Sequence, residues 1–87
     1  MTNEEALDLI GRALKKVTGR TWGIGPETNL IADDLLDSLD SMVFILELEK
    51  SSGKNFPEAD LEEEKFYTVK KLVDFLVNGE PERFKDS

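Results

Sequence analysis

Apolar residues recur at spacings of three and four in the first segment, where Ala6, Leu7, Ile10, Ala13, Leu14 and Val17 fall on one side of a chain turning about 100° per residue. That stripe predicts an amphipathic helix over 3–17. Thr2 and Glu5 are spaced as a capping box, in which a hydroxyl and a carboxylate satisfy each other's backbone N–H groups, and Gly19 can take the left-handed conformation that ends a helix. The period disappears between Thr18 and Asp37, where Gly19, Gly23, Gly25 and Pro26 interrupt regular structure. Because the same stretch carries Trp22, Ile24, Leu30 and Ile31, it reads as a long ordered loop laid over a core, not as a linker. The Gly23-Ile24-Gly25 fragment lacks the third glycine and the Gly-Lys of a phosphate loop.

A second helix is predicted from Ser38 to the turn residues Ser51-Ser52-Gly53, and its pattern differs from the first. Phe44, Ile45 and Leu48 form one apolar stripe, while Leu39, Met42, Val43 and Leu46 form another on roughly the opposite side. Asp40 and Glu47 follow one seam between the stripes; Ser41 and Glu49 fall on the other. The first stripe is expected to face Leu72, Val73 and Leu76 together with the first helix. A domain of 87 residues has few helices with which to cover both stripes, so part of one is expected to meet a partner, unless a short third helix covers it.

Beyond Phe56-Pro57, Asp60 is placed to cap a short helix over 61–65, with Glu62, Glu63 and Glu64 in solvent. Thr68 is placed to cap a last helix in which Val69, Leu72, Val73 and Leu76 repeat at helical spacing, ended by Asn78-Gly79 and Pro81. No strand-like alternation or internal repeat competes with this reading. The expected fold is all-α: a four-helix bundle of three principal helices and one short one, with a domain over 1–79 and a frayed tail over 80–87.

Composition narrows the chemistry. The chain has neither cysteine nor histidine, which removes disulfides, thiolate and imidazole metal ligands, cysteine nucleophiles and the usual base of a serine triad. Nineteen acids against 11 bases give a formal charge of −8, unsuited to neutralising nucleic-acid phosphates and better suited to a basic protein partner. No apolar run approaches the ~20 residues that span a bilayer, and the opening Met1-Thr2-Asn3-Glu4-Glu5 lacks the basic and apolar regions of a signal peptide. A cytoplasmic monomer without stable membrane insertion is the expectation.

The densest acidic stretch is Asp33-Asp34-Leu35-Leu36-Asp37-Ser38-Leu39-Asp40. Asp37 or Ser38 could accept a hydrogen bond from the free amides of the second helix and do nothing more. Calcium is disfavoured, since the spacing departs from the twelve-residue loop and lacks its central glycine. In a third reading, Ser38 is an attachment point. A phosphate ester there would lie beside unpaired amides and the positive end of the helix dipole, while the surrounding aspartates would face basic enzymes that act on the serine.

Asp37-Ser38-Leu39-Asp40 at the head of an apolar, acidic helix resembles an acyl carrier protein, and the likeness extends to Glu27-Thr28-Asn29-Leu30, Phe56-Pro57 and Phe66-Tyr67-Thr68-Val69, covering roughly Glu4 to Val77. The resemblance implies that Ser38 carries a 4′-phosphopantetheine arm transferred from coenzyme A by a magnesium-dependent phosphopantetheinyl transferase. The arm would supply the thiol that the chain lacks and hold acyl groups as thioesters for loading and processing enzymes with basic docking patches. The chain would thus be a carrier and not an enzyme. Asp37, Leu39, Asp40, Met42, Val43, Leu46 and Glu47 would form its partner-recognition surface; Phe44 and Phe66 are expected to pack as ordinary core, or else to shape a cavity for an aliphatic cargo.

The sequence also departs from the general fatty-acid carriers. Val43 occupies a commonly acidic position five residues after the serine, Lys50 reverses another, Phe44 adds bulk, and Asp34-Leu35-Leu36 replaces a glycine often found before the motif. These differences point to a specialised carrier. Fatty-acid, polyketide and aminoacyl or peptidyl cargo all remain open, as does an acidic helical interaction module in which Ser38 is unmodified.

Overall fold

The computed structural model of the chain describes residues 1–56, 61 and 64–78. Among them are three α-helices, α1 (Asn3–Thr18), α2 (Ser38–Ser52) and α3 (Val69–Asn78), with a 3₁₀ turn over Glu64–Tyr67 immediately before α3. The predicted short helix over 61–65 and its cap Asp60 lie largely outside the described residues, as does the segment 80–87. Leu61 is helical.

Local sequence explains the helix ends. Thr2 Oγ1 accepts from the Glu5 amide at 3.1 Å while Glu5 Oε1 accepts from the Thr2 amide at 2.8 Å, completing the capping box of α1. Gly19 and Gly53 close α1 and α2 at φ +78° and +73°, a region that costs other L-residues energy, and their amides donate to Lys15 and Glu49 carbonyls.

α1 packs against both α2 and α3. The shared core contains Ala6, Ile10, Ala13 and Leu14 of α1, Phe44, Ile45 and Leu48 of α2, and Val69, Leu72, Phe75 and Leu76 of α3. Val73, expected in this interior, is only half-buried, and Phe75 takes the inward place. Phe75 belongs to a cluster of rings: it lies 4.4 Å from Phe56 and 6.0 Å from Phe66, which meets Phe56 and Tyr67 edge-on. Such edge and offset contacts are favourable beyond simple area burial. Phe44 is fully buried but stands outside these ring pairs.

The connection between α1 and α2 is ordered by its own side chains and by the start of α3. Trp22 donates from Nε1 to Thr18 Oγ1 at 2.9 Å, and the Arg20 guanidinium lies 4.5 Å from the centre of its ring. Farther on, the Leu30 amide donates to the Tyr67 carbonyl at 2.9 Å, while the Val69 and Lys70 amides donate to Thr28 and Pro26 carbonyls, each at 2.9 Å. Two amides of the first turn of α3, which no carbonyl within that helix can satisfy, are therefore capped by the loop. Thr68 Oγ1 adds a longer contact to the Lys71 amide, 3.4 Å. Leu30 is fully buried; Trp22, Ile24 and Ile31 pack partly buried against the same core, as expected of an ordered loop.

If Leu30 anchors this loop as a core residue, Leu30→Ala will destabilise the protein by about 2 to 5 kcal/mol, the range for buried leucines in regular structure. Urea unfolding followed by circular dichroism measures it. A loss below about 0.5 kcal/mol, as at an exposed loop site, would contradict the assignment.

Candidate functional site at the head of α2

The approach to α2 is a compact turn built on Asn29. Asn29 Oδ1 accepts from the amides of Ile31 and Ala32 at 3.0 and 2.8 Å, and Asp33 Oδ2 accepts from the Asn29 amide at 3.0 Å. The arrangement has the reciprocity of a capping box outside any helix. The Leu35 and Leu36 amides both donate to the Leu30 carbonyl, at 3.0 and 2.8 Å, and Leu36 is buried. Between them and Asn29, Asp34 adopts φ +65°. Aspartate is one of the few non-glycine residues found there, so it makes a left-handed turn that most side chains would resist.

Asp37 then caps α2. Its backbone is extended, its Oδ1 accepts from the Asp40 amide at 2.7 Å, and its carbonyl accepts from the Ser41 amide at 2.9 Å. The cap position can hold only one side chain, and Asp37 takes it. Ser38 is consequently the first helical residue, exposed, with no hydrogen-bond partner for its hydroxyl among the described residues. One turn on, Ser41 points inward: it is buried, and its hydroxyl donates to the Ser38 carbonyl at 2.8 Å.

The two stripes of α2 separate as their spacing implies. Phe44, Ile45 and Leu48 are buried, whereas Leu39, Met42, Val43 and Leu46 are 74%, 65%, 47% and 58% exposed and run down the helix from Ser38. None of the four is buried by the described residues.

The acids around this surface are not equivalent. Asp33 and Asp37 accept from backbone amides. Glu47 is turned toward α1, its side chain 18% exposed and paired with Lys16 at 3.2 Å. Glu49 Oε2 accepts from the Phe56 amide at 2.9 Å, fastening the chain beyond α2 to that helix. Asp34 and Asp40 have no side-chain partner among the described residues, and so carry the charge available to a visitor beside Ser38. Among the described residues, no group of three or more acids is arranged to hold a metal ion, and no helix is long and apolar enough to cross a membrane.

Tyr67, two residues before α3, is a buried polar side chain that sequence patterning did not single out. Its phenol donates to the Leu61 carbonyl at 3.1 Å, and Ser41 is a hydrogen-bonding neighbour. Burial raises its pKa from the ordinary 10.0, an effect partly offset by Ser41. Only the family resemblance places Tyr67 in the sequence reading; a buried polar contact between distant segments leaves no periodic trace.

The chain matches no protein-family model and no solved structure.

Two outcomes follow from this geometry. Asp37→Ala will cost about 0.5 to 2 kcal/mol in thermal or denaturant unfolding, while Ser38→Ala will stay within about 0.5 kcal/mol, because the first removes the cap and the second an unpartnered hydroxyl. For Tyr67, the folded protein holds the phenolic proton to higher pH than the unfolded chain does. Its stabilising contribution is intact below pH 10.0 and is lost as pH rises through the folded-state value. The chain has one tyrosine, so tyrosinate absorbance of folded and urea-unfolded protein reads both values directly, and Tyr67→Phe will remove this component of the alkaline decline.

Proposed function

We propose that the chain is a carrier protein that holds acyl intermediates as thioesters on a 4′-phosphopantetheine arm joined to Ser38. The observation that carries this reading is the division of labour at the head of α2, where Asp37 supplies the cap and leaves the Ser38 hydroxyl exposed and unpartnered. A serine needed only for capping would occupy the position that Asp37 holds. The Ser38 and Leu39 amides also lack protein acceptors among the described residues, giving a phosphodiester local donors and the favourable end of the helix dipole.

In the loading step, Ser38 Oγ forms a bond to the pantetheine-linked phosphorus of coenzyme A, the bond from that phosphorus to the adenosine bisphosphate breaks, and the hydroxyl proton passes to a base of a phosphopantetheinyl transferase. When attached, the group supplies the thiol on which an acyl thioester forms. The chain's own residues present that group. Leu39, Met42, Val43 and Leu46 give an apolar contact beside the tether, Asp34 and Asp40 give it sign, and the overall charge of −8 favours approach to basic patches on loading and processing enzymes. Brief docking through such a small surface suits a shuttle that must leave one enzyme for another.

Because two aspartates, and not the whole acidic stretch, remain unpaired among the described residues, the reading is of a specialised carrier with an apolar docking face. Its service would lie in fatty-acid, polyketide or related biosynthesis, in the cytoplasm, with aminoacyl or peptidyl carriage as the neighbouring possibility. The exposed stripe also fits an interaction module in which Ser38 is unmodified.

Incubation of the unmodified protein with coenzyme A, magnesium and a promiscuous phosphopantetheinyl transferase will add one phosphopantetheine by intact mass, and Ser38→Ala will abolish the addition. No addition with several transferases active on other carriers would favour the interaction module.

A further inference from the structure

A second surface lies away from the head of α2. The start of α1, the loop around Ile24 and one face of α3 enclose an open groove of about 700 Å³, to which α2 contributes no residue. Leu7, Ile24 and Val73 give it an apolar lining, and none of the three is fully buried. Lys70 and Lys71 stand along it, exposed and without an ion-pair partner among the described residues. Asp74 also borders the groove, but its carboxylate accepts from Asn78 Nδ2 at 2.6 Å.

The lysines run against the chain's own pattern. α1 carries Glu4 and Glu5 in its first turn and Lys15 and Lys16 in its last, and α2 carries Asp40 first and Lys50 last, the order that complements the helix dipole. α3 departs from it, with two lysines and no acid in its first turn and no base in its last. On a chain of net charge −8, this places a local cationic surface beside an apolar channel. Departures from a locally favourable pattern are expected where a surface serves binding.

We propose that this groove docks an acidic, apolar segment of a partner protein, its carboxylates meeting Lys70 and Lys71 and its apolar side chains lying on Leu7, Ile24 and Val73. A short segment brings only a few carboxylates up to Lys70 and Lys71, whereas a second copy would bring a whole chain of charge −8 alongside, and the concave shape of the site does not suit a flat lipid surface. Since no α2 residue lines the groove, the partner can hold the protein while the Ser38 face stays open. The interaction does not depend on Ser38 being modified, and a two-site attachment of this kind raises the effective concentration of whatever the α2 face meets.

The test uses the full chain bearing Ser38→Ala, labelled with ¹⁵N, and two synthetic amphipathic helical peptides that share one apolar face and differ in having glutamate or lysine flanks. Amide shifts of Leu7, Ile24, Lys70 and Val73 are followed during titration. The glutamate-flanked peptide is expected to bind there about tenfold more tightly than the lysine-flanked one, and Lys70→Glu with Lys71→Glu to reverse the preference. Equal affinities, a preference unchanged by charge reversal, or shifts confined to α2 would each overturn the proposal. Circular dichroism of the doubly substituted chain establishes that it is folded, and Lys70→Gln with Lys71→Gln, expected to abolish the preference without reversing it, provides the milder variant.

Discussion

Three backbone hydrogen bonds join a glycine- and proline-containing loop to the 3₁₀ turn and first turn of α3, and the geometry at Ser38 depends on them. Pro26 and Thr28 carbonyls take amides that α3 cannot satisfy within itself, and Leu30 returns its own amide to Tyr67. The exchange fixes Leu30 in the core. From that point the chain has little freedom: the Leu30 carbonyl receives Leu35 and Leu36, Leu36 is buried, and Asp37 follows directly at the cap of α2. A loop that could drift would leave the cap uncertain and the serine poorly aimed. Here the last helix helps to position the start of the second although they are distant in sequence.

The distribution of carboxylates shows why formal charge is an incomplete guide to a surface. Four aspartates lie within eight residues, yet two of them spend an oxygen on backbone amides, one in the Asn29 turn and one at the helix cap. Glu47 and Glu49, farther along α2, answer Lys16 and the Phe56 amide. What remains beside the exposed leucine, methionine and valine side chains is a lightly charged apolar face. Long-range attraction still follows the net charge of the chain, but contact at short range is governed by shape and desolvation.

Much of the helical framework was legible in the amino-acid order because its signals are local. The Thr2-Glu5 box, Gly19, Gly53 and the opposed stripes of α2 each depend on neighbours within a turn or two, and each appears where the spacing placed it. The inward residue of α3 was less legible, since Val73 and Phe75 are both apolar and the packing of Phe56 and Phe66 decides which turns in. The same limit applies at the site. Asp37 and Ser38 are both good capping residues, and only backbone geometry distinguishes the one that caps from the one left exposed. The partners of Glu47 and Glu49 lie on another helix and beyond a turn, so their roles had no signature in sequence spacing.

Thr18 and Trp22 give the molecule an optical property of practical use. The chain's single indole is fastened by its N–H to a hydroxyl that itself donates to the Leu14 carbonyl at 2.7 Å, with a guanidinium held over the ring. Its emission therefore reports on the seam where α1 passes into the loop, whereas far-ultraviolet ellipticity reports on the helices as a whole. Comparing the two during refolding would reveal whether the connection closes with the bundle or after it, without attaching any foreign dye.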